Sequence, residues 1–236
     1  MQDLVAAKGI WNRSEESLES IEHRIHDSVP LGKLGDRADG YVKNIFESFG
    51  ALSLPRAPEI LEIGSGVGYI MEAVWRYLDA QGVKDAHVSG LDIAEHMIEK
   101  AKARLERLPH KNAFSFSHYD GLSVPARDNS CDLVYSVATL QHIPKLYVYN
   151  LFFEVKRILK TTGYAVLHFL SFKHLAEQEK MLTWQQELRR QIDRTEGHWH
   201  HFYATEELNS VLSVGTGFSS VSLKEMGTTI WCCVRK

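Results

Sequence analysis

Apolar runs of strand length and apolar stripes of helical period take turns along most of this chain. Ile60, Leu61 and Ile63 form the first run, with Glu62 set inside it, and it opens onto glycines at alternate positions, Gly64, Gly66 and Gly68. Met71, Val74, Trp75 and Leu78 then recur at helical spacing. His87–Ile93 predicts a second strand with an acid, Asp92, near its end, and Ala94, Met97, Ile98, Ala101, Leu105 and Leu108 predict a second helix. Ala113–His118 and Cys131–Val137 read as the third and fourth strands, the fourth nearly all apolar, as burial on both faces demands. Val148, Leu151, Phe152, Val155, Ile158 and Leu159 define a helix that Gly163 is expected to stop, and Tyr164–Leu170 is a fifth strand. Such alternation argues for an α/β fold with a doubly wound parallel sheet.

The two flanks depart from it. Ser14 followed by Glu15 and Glu16 reads as a helix start, with Leu18, Ile21 and Ile25 as its stripe and Val29-Pro30, Gly32 and Gly35 as its breakers. A further helix is expected over Asp39–Phe49, from Val42, Ile45, Phe46 and Phe49, and Leu52–Pro58 is a connector. Residues 1–58 are therefore an N-terminal helical unit, either a cap on the sheet or a lid over a ligand with Trp11 and Tyr41 as contacts. Beyond the fifth strand, Phe172–Thr195 reads as a polar helical insertion and Gly197–Tyr203 as a His- and aromatic-rich loop. Thr205–Val214 follows as a short helix. Phe218–Met226 and Thr228–Val234 then flank Gly227 as a β-hairpin. Residues 59–236 form the core domain, interrupted at about 171–203: a mostly parallel seven-stranded sheet with a C-terminal antiparallel β-hairpin.

Composition narrows the function classes. The 236 residues suffice for one full core, and 44% apolar with 24% charged residues is ordinary for a globular protein. A formal charge of −3 gives no basic footprint for nucleic acid. Met1–Ile10 lacks a signal-peptide core, and Tyr164–Leu170, the longest strongly apolar run, is too short to span a bilayer. Cys131, Cys232 and Cys233 form neither a disulfide framework nor a metal spacing, so a reduced, cytoplasmic protein is expected, with no membrane partner and no metal.

The glycine loop carries the candidate chemistry. Glycines allow tight turning and close approach of a ligand, and the helix start beyond them offers N–H groups to something anionic. A dinucleotide fingerprint, Gly-x-Gly-x-x-Gly, would need its third glycine at Tyr69; here it falls at Gly68. The pattern from Glu62 to Gly68 instead resembles motif I of class I S-adenosyl-L-methionine (SAM)-dependent methyltransferases. Further stretches are similar to the small-molecule branch of that family, in the family's order. They are Gly90-Leu91-Asp92-Ile93-Ala94 with Met97, Asp128–Val134, Leu140-Gln141-His142-Ile143, Arg157–Lys160 with Gly163, and Phe202–Leu208. Cys131 stands where the family has an aromatic, and Thr161-Thr162 where it has Pro-Gly.

The resemblance implies a Rossmann-like methyltransferase fold, SAM as cofactor and S-adenosyl-L-homocysteine as its product. Strand ends converge on one crevice in such a sheet. Gly64, Ser65, Gly66 and Gly68 would then line the methionine end, with Glu62 beneath them. Asp92 would accept the ribose hydroxyls, or else simply cap a helix. Ile93 and Met97 would pack near the adenine, or in the core. Asp120 would accept from the adenine amine and Gly121 leave room for the ring, or the pair is an ordinary turn. The Val137 carbonyl would meet the ligand's ammonium. His142, in the loop after the fourth strand, is the candidate base for a protonated acceptor, or a residue that shapes the pocket. Tyr41, His198, His200, His201 and Tyr203 are candidate acceptor contacts, and a metal reading of these histidines lacks completing carboxylates. Arg189, Arg190 and Arg194 would meet an acidic acceptor or form a solvated helix face.

The function expected is methyl transfer to an oxygen or nitrogen of a small molecule, with no nucleic acid partner and the oligomeric state open. Two readings compete with it: a non-catalytic SAM-binding scaffold or partner subunit, and an NAD-dependent reductase. A base-amino methyltransferase would be expected to carry Asn/Asp-Pro-Pro-Tyr where this chain has Val137-Ala138-Thr139-Leu140.

Overall fold

A computed structural model describes residues 34–173 and 200–236, together with Ser17 and Arg189. The expected helix from Ser14, Trp11, most of the polar insertion, His198, Arg190 and Arg194 lie outside the described residues.

The core is a twisted sheet of β1 (Glu59–Ile63), β2 (His87–Asp92), β3 (Phe114–His118), β4 (Cys131–Ser136), β5 (Leu159–Ser171), β6 (Phe202–Tyr203), β7 (Ser220–Met226) and β8 (Thr229–Arg235). Its order is β3-β2-β1-β4-β5-β8-β7, with β6 pairing β5 off this path. β1 to β5 are mutually parallel, and β8 runs antiparallel to both β5 and β7. β1 pairs β2 on one side and β4 on the other, so the crossovers reverse direction there and the carboxyl ends of β1, β2 and β4 share one crevice.

Helices cover both faces. α1 (Leu34–Glu47) and α2 (Tyr69–Ala80) bury Ala38, Val42, Ile45, Met71 and Val74 against Ile60, Leu133, Tyr135 and Trp231. α3 (Glu95–Leu105) follows β2. α4 (Lys145–Ile158) and the short α5 (Thr205–Asn209), which continues as a wide turn to Gly215, pack Val148, Phe152, Val155 and Leu208 against Leu61, Ile63 and Val134. Side chains alternate across a strand. Ile60 and Glu62 therefore face the α1–α2 layer, while Leu61 and Ile63 face α4.

Three local expectations need correcting. The helix expected over Asp39–Phe49 begins earlier and ends sooner, as α1 over Leu34–Glu47. Gly163 does not stop a helix: α4 ends at Ile158, and Leu159 already pairs with Cys131 as the first residue of β5. The pairing slips between Cys131 and Leu133, and at that irregularity a Cβ on Gly163 would lie 2.9 Å from the Cys131 carbonyl oxygen. The glycine thus serves a close approach of backbones within the sheet. The third correction is β6, expected as loop, where Phe202 and Tyr203 pair with Leu170 and Ser171 and anchor the segment from His200.

Gly163→Ala should accordingly destabilise the fold by about 1–3 kcal/mol, as overpacking against an immovable carbonyl does. Urea unfolding checks this, and a variant as stable as wild type would contradict the close-approach role of Gly163.

Candidate cofactor and acceptor site

The glycine loop is fastened to the end of β2. The N–H groups of Gly64 and Ser65 both donate to the Leu91 carbonyl, at 2.8 and 2.9 Å, and that of Gly66 donates to Asp92 Oδ2 at 2.9 Å. Asp92 Oδ1 accepts from Ala94 N–H at 2.9 Å. Burial pushes the Asp92 carboxyl above its ordinary value, and the N–H bonds from Ala94 and Gly66 draw it back. These loop amides are therefore spent within the protein. They make the glycine loop a rigid shelf, while the donors of the helix start beyond it are a separate set.

Glycine is required at two places in this arrangement. Gly64 has φ 76°, and a Cβ there would sit 2.1 Å from Thr139 Cγ2. On β2, a Cβ on Gly90 would sit 2.6 Å from Met71 Sδ and 2.7 Å from Ser65 Oγ. By contrast, a Cβ on Gly66 would meet no protein atom within 4 Å.

Glu62 lies beneath the shelf, 1% exposed. It accepts from the Tyr135 hydroxyl, 3.2 Å away on β4, and from the Met71 N–H in the first turn of α2. Burial raises its carboxyl well above the ordinary range; the Tyr135 hydrogen bond only partly offsets this. One of the orphan donors at the α2 N-terminus is thereby satisfied from below. On the outer rim, Arg104 of α3 donates to the carbonyls of Val67, at 2.9 Å, and Gly68, at 2.6 Å. It also pairs with Glu72 and stacks over the Tyr69 ring at 4.2 Å. Tyr69 is where a dinucleotide fingerprint needs glycine.

Past β4 the backbone is held under strain. Ala138 adopts φ 55°, unusual for a residue with a Cβ. Its N–H donates to His168 Nδ1 on β5 at 3.2 Å. Thr139 Oγ1 donates to the Gly64 carbonyl at 3.1 Å and to the Val137 carbonyl at 3.2 Å. The expected ammonium acceptor, the Val137 carbonyl, thus already carries one bond and keeps a second lone pair. Val137 itself follows β4 and does not belong to it.

The other expected residues fall into place unevenly. Met97 is 1% exposed, packed with Val67 and Ala94. Ile93 is half-buried, its carbonyl 3.2 Å from His118 Nε2. Asp120 Oδ1 accepts from the N–H groups of Leu122 and Ser123, each at 2.8 Å, which hold its carboxyl below the usual range, and Gly121 follows at φ 87°. His142 and His200, far apart in sequence, meet with ring centroids 4.9 Å apart, and His201 N–H donates to the Gln141 carbonyl at 2.7 Å. Burial and then the nearby Lys145 charge lower the His201 pKa. Tyr203 is a correction: it is fully buried against Phe169, beneath Lys145, and presents no surface to an acceptor. Tyr41 is half-buried on α1, its ring 6.0 Å from that of His168. Ser65 Oγ and Gln141 Oε1 are buried without a hydrogen-bond partner among the described residues. Among those residues no three His, Cys, Asp or Glu side chains could hold a metal, and no helix is long and apolar enough to cross a membrane.

Thr139, His168 and Arg104 were not singled out by sequence. Each reaches a partner at least 30 positions away, so no local spacing marks it.

Residues 61–167 match the family described as Methyltransferase domain. The matched stretch, residues 61–167, is a methyltransferase domain of the class I SAM-dependent kind, and SAM is the cofactor of that class. A sterol 24-C-methyltransferase of Gibberella zeae is 30% identical over 105 residues, 44% of this chain and 26% of that protein. A 27-O-demethylrifamycin SV methyltransferase of Amycolatopsis mediterranei is 28% identical over 155 residues, 66% of this chain and 47% of the relative. The matched stretches thus span about a quarter to a half of these curated relatives. Magnesium protoporphyrin IX methyltransferase from Synechocystis, solved with bound SAM, has a TM-score of 0.64 at 15% identity, covering 100% of this chain and 98% of that one, a likeness of fold.

The strained post-β4 turn predicts a pH dependence. Burial, and after it the Arg37 charge, lowers the His168 pKa from 6.5 to about 4. Between those values the unfolded chain binds a proton that the native one does not, so His168 stabilises fully above pH 6.5 and that contribution is lost as pH falls toward 4. The loss is on the order of 3 kcal/mol. His168→Asn, which keeps an acceptor near Nδ1, should flatten this part of the stability–pH curve relative to wild type; parallel curves would contradict the assignment.

Proposed function

We propose that the protein transfers the methyl group of SAM to an oxygen or nitrogen of a small molecule. The observation that carries this reading is the convergence of the β2-fastened glycine shelf, the Asp92 carboxylate and the His142–His200 pair at one edge of the sheet. The bound cofactor would supply an activated methyl on a sulfonium, so the protein's work is to align and to exclude water.

The residues fit that group. Asp92 Oδ2 takes the Gly66 N–H and Oδ1 that of Ala94, and a carboxylate has further lone pairs for hydroxyls, which suits a ribose diol. Gly66 leaves open space at the shelf, and the second lone pair of the Val137 carbonyl suits an ammonium. Glu62, fully buried, supports the ligand through the loop and the helix start it braces. Asp120 keeps its second oxygen for an amine donor while the first holds the turn. On the acceptor side His142 is the candidate base, with His200 and the His201 backbone beside its loop, and Tyr41, next to His168, is a further candidate contact. That sterol and rifamycin methyltransferases appear among the relatives agrees with a small, ring-containing acceptor.

Asp92→Asn should weaken binding of S-adenosyl-L-homocysteine about 10- to 100-fold, the worth of charged hydrogen bonds to a diol, with little change in far-UV circular dichroism. His142→Ala should leave that affinity within about twofold yet slow turnover about 10²–10⁴-fold if it takes the acceptor's proton. An Asp92→Asn protein with wild-type affinity would take the carboxylate out of the site, and wild-type turnover in His142→Ala would leave that histidine as lining only.

A further inference from the structure

The acceptor half of the crevice holds a further set of groups. β5 runs parallel to β4, so Phe172, the residue after it, comes out at the same edge of the sheet as the His142 loop. Its side chain belongs to the surface, since the residue is 51% exposed. Its N–H donates to the Tyr203 carbonyl at 3.3 Å, which ties it to the segment that carries His200. Ring follows ring from there. Phe172 lies 6.3 Å from Phe202, Phe202 lies 6.4 Å from His200, and His200 lies 4.9 Å from His142, all between centroids.

Lys145, the first residue of α4, adds a charge to this arc. Its Nζ stands 5.7 Å from the Phe172 centroid and 4.6 Å from that of Tyr203. It donates to both oxygens of Glu207, at 2.6 and 2.8 Å, and an ammonium has a third N–H beyond those two. Glu207 accepts in addition from the Tyr149 hydroxyl and, at 3.4 Å, from the Ala204 N–H. That carboxylate is spent within the protein. The ammonium is the member of the pair whose charge, after burial, lowers the His201 pKa. The ion pair thus turns its positive end to the histidine segment.

Complementarity decides what such a surface takes. A flat ring packs on an exposed phenyl face with more contact than a flexible chain, at a preferred stacking geometry. Beside a fixed cation an ionisable group is favoured as an anion and disfavoured as a cation. An ammonium acceptor would meet the Lys145 charge where the nearby carboxylate is already taken. A phenol or enol would meet a cation and neutralise it. We propose that the methyl acceptor is a planar oxygen acid, a phenol or an enol, with its ring against Phe172 and its oxyanion favoured by the Lys145 ammonium. This rests on the SAM reading above and narrows its acceptor atom to oxygen.

The test uses the full chain saturated with S-adenosyl-L-homocysteine and two probes of one shape, 4-nitrophenol and 4-nitroaniline. Wild type should bind 4-nitrophenol about tenfold more tightly than 4-nitroaniline, and binding should raise the phenolate absorbance at fixed pH. Removing Lys145 alone would strand Glu207, so both partners are changed together. Lys145→Met with Glu207→Gln should lose the preference and the phenolate signal, whereas Lys145→Arg, which keeps the charge, should retain both. Phe172→Ala should weaken both probes alike. Equal affinity of wild type for the two probes, saturable binding of neither, a preference kept in the double variant, or unchanged binding in Phe172→Ala would overturn the inference. Tighter binding of 4-nitroaniline would also overturn it and move the acceptor atom to nitrogen. Calorimetry with S-adenosyl-L-homocysteine keeps the two readings apart. Wild type that binds it without preferring 4-nitrophenol loses this inference alone, and a folded wild type that does not bind it loses the SAM reading as well.

Discussion

The site depends on one set of contacts, the fastening of the glycine loop to the carboxyl end of β2. A loop with three glycines has many conformations to lose. Here the Leu91 carbonyl takes two of its N–H groups and the Asp92 carboxylate a third, so its path is fixed by hydrogen bonds to a strand that is itself paired on both sides. Glu62 braces the loop and the first turn of α2 from below, and Arg104 ties down the outer rim. Two buried carboxylates are costly. Both are tolerated because backbone donors and a tyrosine hydroxyl meet them, and both remain raised in pKa because those donors do not fully replace water.

The second half of the site is built against that shelf. Thr139 lies where a Cβ on Gly64 would have been, and its hydroxyl bridges the Gly64 and Val137 carbonyls. Reaching this position forces Ala138 into the left-handed region, at a cost of about 1–3 kcal/mol. His168, neutral and almost fully buried, receives the Ala138 N–H and fixes the turn. Tyr41 and Trp231 enclose that histidine, so packing of α1 and β8 reaches the crevice through one imidazole.

Much of this frame was legible in the sequence because it follows from short-range periodicity. The alternation of apolar runs and stripes gave the five parallel strands and the terminal hairpin. The acid and glycines from Glu62 to Gly68 marked the loop, and the position of Tyr69 separated it from a dinucleotide site. What was missed depends on contacts between distant segments. Gly163 sits next to a helix end in sequence, yet its reason is the Cys131 carbonyl across the sheet. Tyr203 belongs to an aromatic-rich stretch, but its pairing as β6 turns it into the core while His200 and His201 meet the His142 loop. The contact between Thr139 and Gly64 spans 75 positions, and no local pattern carries it.

The most direct test of the account is calorimetric titration of the purified protein with S-adenosyl-L-homocysteine, with NADH in a parallel cell. Saturable one-to-one binding of the first and none of the second is the result this loop geometry predicts. Saturable binding of NADH, or silence toward S-adenosyl-L-homocysteine from a protein shown to be folded, would contradict it.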